Sequence, residues 1–169
     1  MKLVQWVQGL PPEVATFVIA ALPISELRGA IPVALGVYKL PLWSALLWAV
    51  LGNLAPIPVI LKLLEPISSF LSQRWRVWDR FFTWLFARTR RKGERYFHLY
   101  KELGLVLFVA APLPITGAWT GAVAAFLFGL SLGRSFLLIT VGVLIAGSLV
   151  TAASLGVSWL ALLGGHHAR

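Results

Sequence analysis

The chain has 169 residues, 59% of them hydrophobic and only 12% charged, and its mean hydropathy is +0.83. A soluble domain carries about 25% charged residues, so a water-soluble fold has too little polar surface to cover this much apolar side chain, whereas a bilayer accommodates it. The formal charge is +9, and there is no cysteine, which excludes disulfides, thiolate chemistry and Cys-based metal sites.

Only Lys2 precedes the first apolar run, and no small-residue cleavage site follows it, so this segment is expected to stay in the mature protein rather than act as a signal peptide. The run, about 14–38, is interrupted. Val14 to Ile24 is apolar, then comes Ser25-Glu26-Leu27-Arg28, then Gly29 to Val37 is apolar again. Each half has roughly ten residues, about half of what a spanning helix needs. A charged group at the bilayer centre costs about 2.5–3.5 kcal/mol on insertion scales, so Glu26 and Arg28 need a reason to be there. The functional reason is a proton or cation site at Glu26 and an anion clamp at Arg28. The structural one is a mutual pair that pins the turn.

The second stretch, about 42–64, is long enough to span, with a kink at Gly52-Asn53-Leu54-Ala55-Pro56-Ile57-Pro58. Asn53 is an amide at membrane depth. It is placed either to meet a substrate or the tips of the interrupted segments, or to satisfy carbonyls freed by Pro56.

Between the two hydrophobic halves, about 65–102, nine of the fifteen Lys and Arg residues fall between Arg74 and Lys101. A basic block between membrane segments is the positive-inside signal and argues for a cytoplasmic linker, not for nucleic-acid binding. Leu71, Trp75, Trp78, Phe82 and Leu85 recur at spacings of three and four, with Arg76, Arg80 and Arg91 mostly opposite. This predicts an interfacial helix over 67–92, with Trp75 and Trp78 toward lipid and Arg76, Arg80, Arg90 and Arg91 toward head groups. The alternative is packing against the rest of the protein. Gly93 separates it from a second basic helix, 94–102.

The third stretch, about 103–129, repeats the plan of the first: Leu103 to Ala111 apolar, Pro112 to Gly121 rich in Pro, Gly and Thr, then Ala122 to Leu130 apolar. Here Pro112 and Pro114 stop a helix and free carbonyls, while Gly117 and Gly121 allow close approach. Thr116 and Thr120 supply hydroxyls, either as ligands or as caps for the following half-helix, and Trp119 supplies an apolar wall with one N–H. The bland reading is a kinked helix with Trp119 at the interface. The fourth stretch, 134–163, is long enough to span, and Ser148, Ala152 and Gly156 either form a small-residue stripe suited to close helix approach or are scattered small residues of no consequence.

Ala21-Leu22-Pro23-Ile24-Ser25 parallels Pro112-Leu113-Pro114-Ile115-Thr116, and Gly29-Ala30 parallels Gly121-Ala122. The expected fold is therefore an all-α integral membrane protein forming a single domain. It has two inverted repeats (about 14–64 and 103–163), each a re-entrant helical hairpin plus a transmembrane helix, joined by a cytoplasmic amphipathic linker. If the interrupted segments cross instead, there are four crossings and both termini are cytoplasmic. Half-length runs around a charged pair favour the hairpins.

Enzyme signatures are absent: there is no nucleophile elbow, phosphate-cradling Gly-Lys-Ser/Thr loop or His-Glu-x-x-His. His98 falls in the polar linker, and His166-His167 has no third ligand nearby, so neither a metal nor a cofactor is expected. Membrane lipids and a small-molecule or lipid substrate are the expected partners. Four long segments are few to enclose a pathway, which makes a homodimer a reasonable arrangement.

Three strings, in order, carry a family resemblance. They are Ser25-Glu26-Leu27-Arg28-Gly29-Ala30-Ile31-Pro32, then Gly52-Asn53 followed by Pro56, then Pro112-Leu113-Pro114 through Thr116-Gly117-Ala118-Trp119-Thr120-Gly121. In these the chain resembles the small multi-drug export proteins, a prokaryotic branch close to the DedA/VTT membrane superfamily, with Ile115 standing where that pattern would have glycine. The resemblance implies two re-entrant hairpins, shaped by Pro23, Gly29, Pro32, Pro112, Pro114 and Gly121, that meet at the midplane of a plasma-membrane protein. It implies transport, and the wider superfamily is similar to proton-linked flippases of lipid phosphates. An arginine beside half-helix N-termini suits an anionic phosphate better than a cationic drug. The competing functions are efflux of hydrophobic cations and a non-transporting membrane scaffold.

Overall fold

The computed structural model describes residues 7, 9–74, 94–113 and 116–165. Every element among them is helical. The predicted surface residues Trp75, Arg76, Trp78, Arg80, Arg90 and Arg91 lie outside the described residues, as do Pro114 and the His166-His167 pair.

The first stretch folds as two short helices, α1 (Pro12–Ala21) and α2 (Glu26–Gly36). They have 10 and 11 residues, or about 15–17 Å each at 1.5 Å per residue, half the hydrocarbon thickness. The break lies earlier than the charged pair suggested. It occupies Leu22–Ser25, and Glu26 and Arg28 sit in the first turn of α2. The prolines explain this, since Pro23 has no N–H to continue α1. Next comes α3 (Leu42–Leu54), which ends just before Pro56, and α4 (Ile57–Arg74) follows after a two-residue turn. The sequence suggested a span ending near 64 and a new helix near 67. Instead α4 runs through Pro66 to Arg74 without a break.

In the second half, α5 (Glu94–Ala110) joins the expected basic helix and the expected apolar arm into one helix of 17 residues. Gly104 within it meets nothing that would demand a glycine. The helix α6 (Ala118–Leu127) is again short, and α7 (Leu132–Gly165) is a single helix of 34 residues.

The chain divides into two compact units. In the unit formed by Met1–Ala55 and Leu144–Arg169, α1, α2 and α3 pack on one another. The key contact is Gly52: a Cβ there would run into the Phe17 carbonyl oxygen and lie 2.9 Å from the Phe17 carbonyl carbon and Cα. Helix α1 thus lies backbone to backbone on α3, next to an edge-on pair of Phe17 and Trp48 with ring centroids 6.5 Å apart. Gly147 on α7 gives similar room to Leu46, Val50 and Leu27.

In the unit Pro56–Val143, α6 packs on both α4 and α5. Val109 of α5 fills the space left by two glycines, Gly121 on α6 and Gly142 on α7. At the end of α6, Lys101 Nζ donates to the Phe128 carbonyl at 3.2 Å, and Glu102 pairs with Arg134 at 3.8 Å. Burial pushes the Lys101 ammonium below the usual lysine range.

The two halves share one local turn feature. Each second arm leaves its helix through a residue in the left-handed region, Lys39 (φ 52) or Gly129 (φ 69), followed by leucine and then the next helix. At Gly129 the turn is a Schellman motif, with Leu130 N–H donating to Ala125 O and Gly129 N–H to Phe126 O.

Two runs are long and apolar enough to cross a membrane, Leu42–Ser68 and Leu132–Val157, and less than half of each is buried inside the protein (44% and 39%). A core helix of a soluble protein would be mostly covered. Here Trp43, Leu47 and Leu51 line one exposed face of α3, and Leu137, Val141, Leu144 and Ile145 are exposed on α7. These surfaces suit lipid.

Candidate functional site

Ser25 stands at the N-cap of α2 but does not cap it. Its hydroxyl turns backward and donates to the Ile19 carbonyl at 2.6 Å, closing the end of α1 across the break. Gly29 makes this arrangement fit, because a Cβ there would lie 2.6 Å from the Ser25 Cβ. The next residue, Glu26, has φ +43, a left-handed conformation that an L-residue adopts only at a penalty. A strained, buried glutamate at the head of a helix is the sort of outlier that collects at functional sites. Glu26 is 5% exposed, and its Oε2 lies 3.5 Å from the Arg28 guanidinium, whose side chain is 26% exposed. One partner is sealed and the other reaches outward. The helix dipole favours the carboxylate at this end, and Pro32 removes the helical donor for the Arg28 carbonyl.

Asn53 lies near the end of α3 and is 1% exposed. Its Oδ1 has no hydrogen-bond partner among the described residues. An unpaired buried acceptor costs about 1–3 kcal/mol, so its presence requires an explanation. Neighbouring Gly52 is where α1 lies on α3, which gives that glycine a packing role.

The second half builds its break the same way. Thr116 Oγ1 donates to the Ala111 carbonyl at 2.5 Å and accepts from the Leu113 N–H at 3.2 Å. Gly117, the N-cap of α6, is extended (φ 162) and makes no side-chain cap. The expectation that Thr116 or Thr120 caps α6 is therefore corrected: Thr116 faces backward to α5, and Thr120 Oγ1 donates to the Gly117 carbonyl at 3.3 Å. The break itself is shorter than the Pro112–Gly121 stretch suggested, since Trp119, Thr120 and Gly121 all lie in α6. Trp119 is half-buried, Thr120 and Pro112 are exposed, and Gly121 is buried against Val109.

Glu26, Arg28 and Asn53 thus belong to one unit, and Thr116, Gly117, Trp119 and Thr120 to the other. Ser148, Ala152 and Gly156 are exposed, and a Cβ on Gly156 would meet nothing within 4 Å. Close helix approach falls instead at Gly52, Gly121, Gly142 and Gly147, of which the last two carried no distinguishing sequence signal. Ser25 was also missed as a working residue, although its alignment with Thr116 pointed to it. Among the described residues, no group of three or more His, Cys, Asp or Glu side chains could hold a metal ion.

The family model described as "Putative small multi-drug export protein" matches residues 26–149. No curated protein and no solved structure matches the chain. The matched segment begins at the strained Glu26, takes in Asn53 and the whole second break, and covers well over half of the sequence. The chain belongs to this small multi-drug export family, and it is a membrane protein.

Proposed function

We propose that this protein is a proton-coupled membrane transporter or flippase that moves a lipid-linked phosphate or another small anionic amphipath, with Glu26 as the proton site and Arg28 as the anion clamp. The observation that carries the reading is the buried, left-handed Glu26 paired at 3.5 Å with a more accessible Arg28. While Glu26 is ionised, Arg28 is held by its own chain. Protonation of Glu26 neutralises the carboxyl and releases the guanidinium to bind a phosphate, for which its forked donors are well matched. Deprotonation returns Arg28 to Glu26 and expels the anion. The exchange needs no cofactor and no covalent step.

In this proposal each half forms a re-entrant hairpin plus a crossing helix in inverted orientation, and the basic linker faces the cytoplasm. Supporting that arrangement are helices of half-bilayer length on both sides of the first break, and the concentration of arginines in the linker. DedA/VTT-like flipping of lipid phosphate is part of the same reading, as is a homodimer that encloses the pathway.

The test is flux of a lipid phosphate in proteoliposomes under an imposed pH gradient. Wild type should show gradient-driven flux that Glu26→Gln and Arg28→Ala both remove while helix content is retained. Normal flux in either variant sinks the mechanism. The family description favours a second reading, export of hydrophobic cations with Glu26 as the exchange site. A positive guanidinium beside that site opposes it. Displacement of a cationic dye by protons, lost in Glu26→Gln and strengthened in Arg28→Ala, would establish it instead.

A further inference from the structure

Helices α2 and α3 pack on one another and are joined by only five residues, Val37–Pro41. So short a link makes them antiparallel neighbours. Counted back from that link, Glu26 is the eleventh residue of α2 and Asn53 the twelfth residue of α3. At 1.5 Å per residue both lie about 15–17 Å from the turn, at one level along the pair. Side-chain contacts agree with this register: a Cβ at Gly147 would lie 3.0 Å from Leu46 Cδ1, 3.7 Å from Val50 Cγ2 and 3.8 Å from Leu27 Cδ1. Leu27 follows Glu26, and Val50 is one turn before Asn53.

Glu26 and Asn53 are buried at this level and have complementary needs, and Thr151 Oγ1, the other buried side-chain atom with no partner among the described residues, lies one turn beyond Gly147 on α7. A carboxylate needs no acceptor, but a protonated carboxyl carries one O–H that must find one. Asn53 Oδ1 is an acceptor with no donor. We infer that Asn53 is the acceptor for the Glu26 O–H when that carboxyl is protonated, and so is a positioning residue for the coupling group. The unpaired oxygen of the ionised state is then half of a hydrogen bond completed in the protonated state. The proton comes from water, the carboxylate becomes a carboxyl, and the Arg28 pair is replaced by a neutral hydrogen bond to Asn53. Buried unpaired acceptors are costly, and this arrangement gives Asn53 a partner in one state of the cycle.

Among the described residues of the packed helices, few other charged side chains lie at this level. Helix α3 and the stretch 144–157 of α7 contain no titratable side chain. Helix α1 contributes only Glu13, in its first turn and about 12 Å along the helix from Ala21. Arg28 is the charged neighbour on α2 itself.

The inference rests on Glu26 being the proton site. It is tested by infrared difference spectra of the full-length protein in liposomes, taken between neutral and acidic pH. The protonated-carboxyl band should vanish in Glu26→Gln. In Asn53→Leu it should move to higher wavenumber, because the carboxyl loses a hydrogen-bond partner, and Asn53→Gln should hold it closer to the wild-type position. If Asn53→Leu does not retain helix content, Asn53→Ala replaces it. A band that Glu26→Gln abolishes but that neither Asn53 variant moves overturns the role of Asn53 and leaves the proton site standing. The same spectrum with weaker binding of lipid phosphate would assign Asn53 to the cargo, which also overturns it. A band that survives Glu26→Gln defeats the proton-site reading itself.

Discussion

After Ser25 the backbone turns into the left-handed region and sets a carboxylate at the head of α2, whereas after Thr116 it runs extended through a glycine and sets none at the head of α6. The described residues of the two breaks share one device. In each, a hydroxyl reaches back five or six residues to a carbonyl at the end of the preceding helix. The backward-turned hydroxyl is thus common to both halves, whereas an acidic residue opens α2 and none opens α6.

The largest effect should come from the scaffold. Gly52→Leu drives a side chain into the Phe17 backbone, which cannot yield as a flexible side chain can. It should prevent accumulation of folded protein, while Gly156→Leu, facing open space, should be tolerated. Yield of monodisperse protein in detergent decides this. Next in size is the charged pair. Glu26→Gln or Arg28→Ala removes an interaction of about 1.5–3 kcal/mol between ionised groups, and flux should fall by about tenfold or more. Thr120→Ala, at an exposed position in the second half, should leave it near wild type.

The backward-turned hydroxyls come third. Ser25→Ala and Thr116→Val should each lower stability by about 1–2 kcal/mol, measured by thermal unfolding, because a carbonyl loses its donor. The swaps Ser25→Thr and Thr116→Ser should be close to neutral. If only one of the two alanine-type variants is destabilised, the equivalence of the breaks fails. The smallest effect separates strain from charge. Glu26→Gly should be more stable than Glu26→Gln by about 1 kcal/mol, since glycine accepts the left-handed conformation at no penalty. Equal stability would mean that the left-handed turn stores little energy.

Much of this was legible in the sequence because prolines and glycines are local signals. Pro23 and Pro56 mark the ends of α1 and α3 to within a few residues, and the Pro/Gly-rich stretch from Pro112 marks the end of α5. What misled was treating polarity as a boundary. Glu26 and Arg28 look like loop residues but begin a helix, and the change from basic to apolar near 102 falls inside α5 because a helix can cross an interface without breaking. Nor could the sequence say that Gly142 and Gly147 receive neighbours while Ala152 is exposed and Gly156 faces open space. That depends on which turn of α7 faces the bundle, and small residues occur on every side of it.

The length of α7 has a consequence for the membrane the protein can inhabit. Its apolar run Leu132–Val157 has 26 residues, about 39 Å of helix against roughly 30 Å of hydrocarbon. Upright, it would leave leucines in water. A bilayer that holds it accommodates the excess by tilt, by local thickening or by letting Arg134 reach the head groups. Acyl-chain length is thus a variable that acts on this helix directly, and longer-chain lipids should let it stand straighter.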